Sequence, residues 1–167
     1  MMRRRATPAL LLVCVTLLAG CASGLRTTPV TSSTPASTPT INPVRNDVAM
    51  FAMSLLNSPY VWGGKDPDTG FDCSGMVTYV YRQAAGLKLQ GNAVSLGKMS
   101  RPVAREQLQP GDLVFFNTLG TRHSHVGVYV GNDRFVHASN PRTGVRIDQL
   151  SSRYYAQRFE GAHTLLD

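Results

Sequence analysis

The chain has 167 residues, of which 17 are Lys or Arg and 10 are Asp or Glu, so its formal net charge is +7 at pH 7. Without Arg3, Arg4 and Arg5 at the N-terminus, 14 basic residues face 10 acidic ones, a net charge of +4. These basic residues are scattered, which argues against a nucleic-acid-binding protein and is compatible with an anionic polymer, such as cell-wall material, as partner.

The first 20 residues have the pattern of an export signal. A basic start precedes an apolar run from Pro8 to Leu18, well short of the ~20 residues that span a bilayer. Leu18-Ala19-Gly20-Cys21 resembles the lipobox of bacterial lipoproteins, in which the signal is cut before the cysteine and the cysteine carries the lipid. Ala22 does not resemble the Asp of inner-membrane lipoproteins, so the resemblance implies an outer-membrane anchor facing the periplasm. An ordinary secretory signal or an N-terminal anchor helix is the alternative.

Cysteine usage singles out one thiol. Cys14 leaves with the signal and Cys21 would be acylated, so Cys73 is the free thiol expected in the mature chain. It has no intramolecular partner in a compartment that tends to oxidise thiols. Such a thiol is tolerated when it is deeply buried and inert, or when it is catalytic.

Residues 21–45 are predicted to be a lipidated, disordered tether. From Ala22 to Arg45, 14 of 24 residues are Ser, Thr or Pro. Such a segment buries too little apolar surface to offset the entropy lost on ordering. Residues 46–167 are then expected to form one domain of ordinary size.

The first half of this domain is predicted to be helical. Asn46 or Asp47 can cap a helix whose apolar residues recur at spacings of three and four, and Pro59 ends it. A second helix is expected after Asp72, a suitable N-cap, and would close at Gly86.

The region over 87–109 is ambiguous and is predicted to be loop apart from a short helix over 103–108. The second half of the domain is predicted to consist mainly of strands. The strands are predicted at 113–116, 125–130, 134–138, 145–147 and 159–165, with a short helix over 151–157. The second strand alternates valines with His125, Gly127 and Tyr129, and a tight loop over 131–133 joins it to the third as a hairpin. Helices followed by antiparallel strands predict an α+β fold.

Three side chains suggest nucleophilic catalysis. Cys73 falls in the first turn of the second helix, where the helix dipole favours a thiolate. His125 opens one strand and His137 lies late in its hairpin partner, so the two are expected to be cross-strand neighbours. A helix packed on this sheet could bring Cys73 to His125, with His137 behind it. His125 would take the thiol proton and His137 would fix its tautomer, as in thiol hydrolases, without a metal or organic cofactor.

Five motifs in order resemble the NlpC family of papain-like bacterial cell-wall cysteine peptidases, over about residue 46 to the end of the chain. They are Pro59-Tyr60-Val61-Trp62-Gly63-Gly64, Phe71-Asp72-Cys73-Ser74-Gly75, Pro110-Gly111-Asp112-Leu113-Val114-Phe115-Phe116, His125-Val126-Gly127-Val128-Tyr129-Val130-Gly131 and Phe135-Val136-His137-Ala138. The resemblance implies hydrolysis of peptide bonds in peptidoglycan stem peptides or their cross-links. It also implies Cys73 as nucleophile, His125 as base and His137 as third polar residue.

The resemblance implies further roles around the thiol. Tyr60 matches the family's tyrosine near the nucleophile, whose hydroxyl would help hold the oxyanion together with the backbone N–H of Cys73. Asp72 and Ser74 flank the nucleophile and could contact polar parts of the stem peptide. A role of Asp72 only as an N-cap is the equal alternative. Trp62 is expected in the core rather than in the cleft.

The other histidines are assigned no catalytic role. The family places its base immediately before the Val-Gly-Val strand, which selects His125 over His123. His123 is expected in a solvated loop, with the rim of the substrate groove as the alternative. His163 has no motif around it.

Two alternative functions remain open. His123 and His125 have the spacing of zinc ligands on a strand, as in metallo-endopeptidases that cut the same polymer, but the remaining ligands are hard to find. The other alternative is a non-catalytic cell-wall-binding lipoprotein that kept the fold. Because no additional domain is expected to close one end of the cleft, a cross-link-cleaving endopeptidase is favoured over cleavage within one stem.

Overall fold

The computed structural model of the chain describes residues 42–167. The predicted signal peptide, Cys21 and the tether as far as residue 41 lie outside the described residues. The helices are α1 (Pro43–Ser54), α2 (Cys73–Ala85), α3 (Ala93–Met99) and α4 (Arg153–Ala156), with a short 3-10 helix at Arg105–Gln107. The strands are β1 (Lys65–Asp66), β2 (Gly70–Phe71), β3 (Arg101–Val103), β4 (Leu113–Phe116), β5 (His125–Gly131), β6 (Arg134–Asn140), β7 (Gly144–Gln149) and β8 (Phe159–Thr164).

Six of these strands form one antiparallel sheet in the order β3-β8-β4-β5-β6-β7. The other two, β1 and β2, pair with each other as a short hairpin just before α2. The α+β architecture predicted from the sequence is confirmed. None of the helices within residues 42–167 is both long and apolar enough to cross a membrane.

The sheet separates two apolar clusters because residues along each strand point alternately to its two faces. Val126 and Val128 of β5 are fully buried in the cluster that also contains the inner sides of α1 and α2. Phe116 and Phe135 are buried in a smaller cluster with Tyr155 of α4. The valine face predicted for β5 is therefore the face that the two long helices cover.

The first helix begins earlier than the sequence analysis predicted. Asn42 is its N-cap and accepts a hydrogen bond from the Val44 N–H at 3.0 Å, and Pro43 occupies the first helical position, where its missing N–H costs nothing. Arg45, assigned to the tether, lies inside α1 and pairs with the buried Asp112 at 2.7 Å. This ion pair fastens the start of α1 to the sheet, which is why the helix extends beyond the predicted cap at Asn46 or Asp47.

The region from 87 to 109 contains a helix that the sequence analysis missed. Asn92 caps α3 by accepting from the Ser95 N–H at 3.1 Å. Glycine and serine within these seven residues give the helix weak intrinsic propensity, so packing rather than local preference holds it. The short helix predicted over 103–108 was wrong in extent: Val103 ends β3, and only a single 3-10 turn follows.

The edge strand β7 is covered at its start by the loop after α1. The Asn57 N–H donates to the Val145 carbonyl at 2.9 Å, and the Val145 N–H donates to the Ser58 carbonyl at 2.9 Å. The chain leaves Ser58 directly for Pro59 and Tyr60. The segment that precedes the nucleophile helix is thus tied to the edge of the sheet.

Candidate active site

Cys73 is the first residue of α2, and the local sequence fixes its position. Asp72 is the N-cap: its Oδ1 accepts from the Gly75 N–H at 2.6 Å, and its Oδ2 accepts from the Gly63 N–H at 3.0 Å. The predicted N-cap is confirmed. Because one carboxylate holds both the first turn of the helix and the preceding loop, the thiol is presented from a rigid helix start.

Two glycines allow that loop to lie directly against α2. The Gly64 carbonyl accepts from the Asp72 N–H at 3.0 Å and lies so close to Gly75 that a Cβ there would overlap it. A Cβ on Gly64 would in turn overlap the carbonyl of Gly70. Both glycines are needed for this close backbone packing, and no other residue fits either position without moving the backbone.

A cleft of about 300 Å³ opens beside the thiol. It is lined by Tyr60, Trp62, Asp72, Cys73, Ser74, Asn92, Ala93, Val94, Thr118, Leu119, Thr121, His123, Ser124, His125 and Ser139. Trp62 is 78% exposed, so its predicted place in the core is wrong. It stands just before the tight turn at Gly63, where the chain runs along the surface.

His125 and His137 lie on neighbouring strands and contact each other. His125 Nε2 and His137 Nδ1 are 2.7 Å apart, and the two rings are perpendicular with centroids 4.9 Å apart. A Cβ on Gly127 would lie 3.2 Å from the Cβ of His137. Because Gly127 has no side chain, the diagonal pair across β5 and β6 can meet. The predicted cross-strand contact of the two histidines is confirmed.

The carboxylate of Asp148, which the sequence analysis missed, is hydrogen-bonded to His137 on the side away from His125. His137 Nε2 and Asp148 Oδ2 are 2.9 Å apart, and Arg146 Nη2 donates to Asp148 Oδ1 at 2.7 Å. His137 is the direct cross-strand partner of Arg146, and Asp148 lies two residues further along the same face of β7. The predicted strand stopped at 147, one residue before Asp148, whereas β7 continues to Gln149. Alternation along 145–148 was the available signal, together with the turn residues Pro141 and Gly144 that set the register between β6 and β7.

Burial sets the protonation of the thiol and the imidazole beside it. Burial raises the pKa of Cys73 to about 11, against a smaller lowering by the Val126 backbone N–H. Burial lowers the pKa of His125 to about 3, and His137 adds to that shift. The free protein therefore holds a neutral thiol and a neutral imidazole at pH 7. Burial thus acts against the thiolate that the helix dipole was expected to favour.

Three of the predicted site residues line the cleft and differ in how far their polar groups are already hydrogen-bonded; they are Tyr60, Asp72 and Ser74. Burial raises the pKa of Tyr60, with further contributions from Cys73 and Asp72, so its hydroxyl stays protonated and can donate. Ser74 Oγ donates to Asp72 Oδ1 at 3.0 Å, and both oxygens of that carboxylate also accept from backbone N–H groups. The side chains of Asp72 and Ser74 are thus already paired with each other.

His123 and His163 form a second histidine cluster. The His123 ring stacks on Phe115 with centroids 4.5 Å apart and meets His163 edge-on at 5.5 Å. His163 Nδ1 lies 3.0 Å from Ser100 Oγ. The solvated position predicted for His123 is wrong: the residue is 6% exposed, and its ring occupies the space that Gly97 leaves free. Burial lowers the pKa of both histidines.

The two ligands of the zinc alternative consequently belong to different clusters. His123 contacts Phe115 and His163, whereas His125 contacts His137. Within residues 42–167, no group of three or more His, Cys, Asp or Glu side chains is arranged to hold a metal ion.

The fold and the site together define the class of protein to which this chain belongs. An α+β fold with a cysteine at a helix start, a strand histidine lining the same cleft and a second histidine hydrogen-bonded behind it is the arrangement of papain-like cysteine hydrolases. The chain belongs to the NlpC/P60 family, whose family model matches residues 57–164. The family resemblance drawn from the five sequence motifs is thereby confirmed.

Relatives and solved structures agree with that membership. The chain is 40% identical over 119 residues to murein DD-endopeptidase MepH of Escherichia coli K12, a match that covers 68% of this chain and 43% of that protein. It is 41% identical over 115 residues to gamma-DL-glutamyl hydrolase of Bacillus subtilis, covering 68% of this chain and 28% of that protein. The chain thus spans less than half the length of these relatives.

Among solved structures, the NlpC/p60 domain of the peptidoglycan hydrolase SagA matches with a TM-score of 0.63 and 31% identity. The match covers 72% of this chain and 98% of that domain. The region shared with SagA is therefore almost the whole of a separately crystallised domain.

Proposed function

We propose that this protein is a cysteine endopeptidase that hydrolyses peptide bonds in the stem peptides or cross-links of peptidoglycan. The observation that carries the proposal is a cleft lined by both Cys73 and His125, with His125 hydrogen-bonded to His137 at 2.7 Å. Membership of the NlpC/P60 family supports it, as do relatives named as a murein endopeptidase and a peptidoglycan hydrolase.

In the first half of the reaction, Cys73 Sγ attacks the carbonyl carbon of the scissile bond while His125 takes the thiol proton. Because the pKa of Cys73 is raised and that of His125 is lowered, this proton moves during the attack rather than before it. The C–N bond then breaks, and His125 returns the proton to the leaving amine. The product of this half is a thioester on Cys73.

In the second half, water attacks the thioester carbonyl with His125 again as base. The C–S bond breaks, the stem peptide leaves with a new carboxyl group, and the proton held by His125 restores the thiol. In both halves the oxyanion would be stabilised by the Cys73 backbone N–H at the helix start and by the Tyr60 hydroxyl. Asp72 and Ser74 are proposed to contact polar parts of the stem peptide at the same end of the cleft.

Digestion of purified sacculi tests the activity. Wild-type protein should release soluble muropeptides, and Cys73→Ala should release none. Iodoacetamide should abolish the activity and a chelator should leave it intact; the reverse pattern would support the zinc alternative. Equal product profiles from wild type and Cys73→Ala would leave a non-catalytic wall-binding protein.

The bond proposed is the cross-link between two stems. The relative named as a murein DD-endopeptidase supports this choice, whereas the relative named as a gamma-DL-glutamyl hydrolase favours a gamma-glutamyl bond instead. Mass spectrometry of products from defined cross-linked and uncross-linked muropeptides distinguishes the two. Cleavage of uncross-linked stems alone would reject the cross-link assignment.

We also propose that Cys21 carries lipid, including palmitate, and that residues 22–41 tether the domain to the outer membrane on its periplasmic side. The support is the lipobox resemblance of Leu18-Ala19-Gly20-Cys21 and the Ala at the next position. Labelling with a palmitate analogue should mark wild type and not Cys21→Ser, and fractionation should move the variant out of the membrane. An unlabelled wild-type protein would reject the anchor while leaving the peptidase proposal standing.

A further inference from the structure

Three side chains behind the cleft form an uninterrupted hydrogen-bonded row. His125 Nε2 meets His137 Nδ1 at 2.7 Å, and His137 Nε2 meets Asp148 Oδ2 at 2.9 Å. The His137 side chain is fully buried and that of Asp148 is 17% exposed, so water is largely excluded from the second contact. Arg146 Nη2 holds the other carboxylate oxygen at 2.7 Å.

The carboxylate determines which nitrogen of each ring carries the proton. Burial acts to raise the pKa of Asp148, but the bond from His137 and the charge of Arg146 outweigh it, so the net shift is downward and the group is ionised at neutral pH. An ionised carboxylate only accepts hydrogen bonds. His137 must therefore donate from Nε2, and in a neutral ring this makes Nδ1 an acceptor. His125 must then donate from Nε2, which leaves its own Nδ1 without a proton.

We propose that Asp148 is a positioning residue that fixes the tautomers of both histidines through this row, so that His125 Nδ1 is free to take the Cys73 proton. The inference rests on the proposed peptidase function and deepens it. Asp148 touches neither thiol nor substrate and acts through His137. It also gives the row the negative charge that two neutral histidines lack when His125 becomes an imidazolium.

Among residues 42–167, no other neighbour of His137 fixes its tautomer in this way. The Tyr155 hydroxyl lies 3.4 Å from His137 Nε2, further than the carboxylate, and a hydroxyl can either donate or accept. The charged and titratable groups that face His137 are His125 from β5, Arg146 and Asp148 from β7, and Tyr155 from α4. Of these, only Asp148 offers an obligate acceptor.

The substitution Asp148→Asn tests the row with almost no change of shape. The oxygen of the new amide should turn to Arg146, which can only donate, and its NH₂ group should turn to His137 Nε2. His137 must then donate from Nδ1, and His125 must carry its proton on Nδ1, the wrong nitrogen. We expect kcat to fall about 10- to 100-fold with KM little changed, as for other residues that orient a reactive group from behind.

Asp133→Asn is the matched control. Like Asp148, Asp133 pairs with an arginine, Arg105 at 3.7 Å, and its other oxygen accepts from the Ser151 backbone N–H at 3.0 Å, but it lies at the hairpin loop away from the cleft. We expect this variant to keep the wild-type kcat. An equal loss in both variants would show a general effect of removing a carboxylate and would overturn the proposal.

The tautomers can be read without substrate. In ¹⁵N-histidine-labelled protein, long-range ¹H–¹⁵N correlation shows which ring nitrogen bears the proton, with His125→Gln and His137→Gln used to assign the signals. We expect Nε2–H at both positions in wild type and in Asp133→Asn, and Nδ1–H at both in Asp148→Asn. Unchanged tautomers in Asp148→Asn would overturn the proposal, whereas a wild type that releases nothing from sacculi would reject the peptidase function instead.

Discussion

The two histidine clusters are alike in burial and differ in the contacts that their rings make. His125–His137 and His123–His163 are both buried, and burial lowers the pKa of all four imidazoles. In the first cluster the two rings are hydrogen-bonded to each other, and His125 lines the cleft beside the thiol, as His123 of the second cluster also does. In the second, the His123 ring is stacked on Phe115 and packs edge-on against His163.

Burial of the histidines does not by itself explain how the two clusters differ. Burial alone makes a neutral imidazole, which both clusters contain. What distinguishes the first is the hydrogen bond between its two rings and the further bond from His137 to Asp148. Four substitutions or titrations can therefore break or sharpen the contrast.

The largest effect is expected from removing the base. His125→Ala should lower kcat/KM by about 10²- to 10⁴-fold, because a positioned general base contributes on that scale. His163→Gln, a change in the other cluster, should leave kcat/KM close to the wild-type value. Muropeptide release by both variants measures the contrast, and a comparable loss in the two would mean that the clusters act as one unit.

The next effect concerns the reactivity of the thiol. Because burial raises the pKa of Cys73 to about 11, its rate of alkylation by iodoacetamide should climb roughly tenfold per pH unit across the neutral and mildly alkaline range. Cys73→Ala supplies the background from the other cysteines. A rate that is flat through this range would instead indicate a preformed thiolate–imidazolium pair.

Acid should destabilise the fold through its buried histidines. The pKa of His125 in the folded protein is lowered from 6.5 to about 3, so the unfolded chain binds more protons and stability is lost as the pH falls through this window. His125 alone should remove roughly 2 kcal/mol of the free energy of unfolding between about pH 7 and 5. Urea unfolding at the two values measures it, and His125→Gln should show a smaller pH dependence than wild type.

The smallest effect is expected at Ser100. Its hydroxyl lies 3.0 Å from His163 Nδ1, and Ser100→Ala should cost about 1 kcal/mol of stability through this lost hydrogen bond. Activity should be unchanged, since the bond belongs to the second cluster. Thermal unfolding measures the change in stability, and muropeptide release measures the activity. A loss of activity at unchanged stability would connect Ser100 to the cleft.

Much of the fold and the core of the site could be read from local sequence. The N-cap at Asp72, the left-handed Gly86 at the end of α2 and the two faces of β5 follow from patterns within a few residues. The contact of His125 with His137 also follows, because a short hairpin loop fixes the register between their strands.

The features that were missed depend on how the elements pair and pack. Asp148 meets His137 through the register of β6 and β7, whose hairpin loop over 141–143 the sequence analysis did not predict. His123 was expected in a solvated loop, whereas its ring stacks on Phe115 of β4. The α1 start depends on Arg45 reaching Asp112, far away in sequence. In each case a tertiary contact outweighed the local preference.

The backbone hydrogen bonds between Val145 and the loop at Asn57 and Ser58 connect the edge of the sheet to the segment that forms one wall of the cleft. The Val145 amide is protected by the Ser58 carbonyl, and the chain runs from there straight to Tyr60 on the cleft. If a bound ligand displaces that loop, this amide should exchange with deuterium before those at the centre of β5 do. Its rate of deuterium uptake would then report the free energy needed to detach the loop from the sheet.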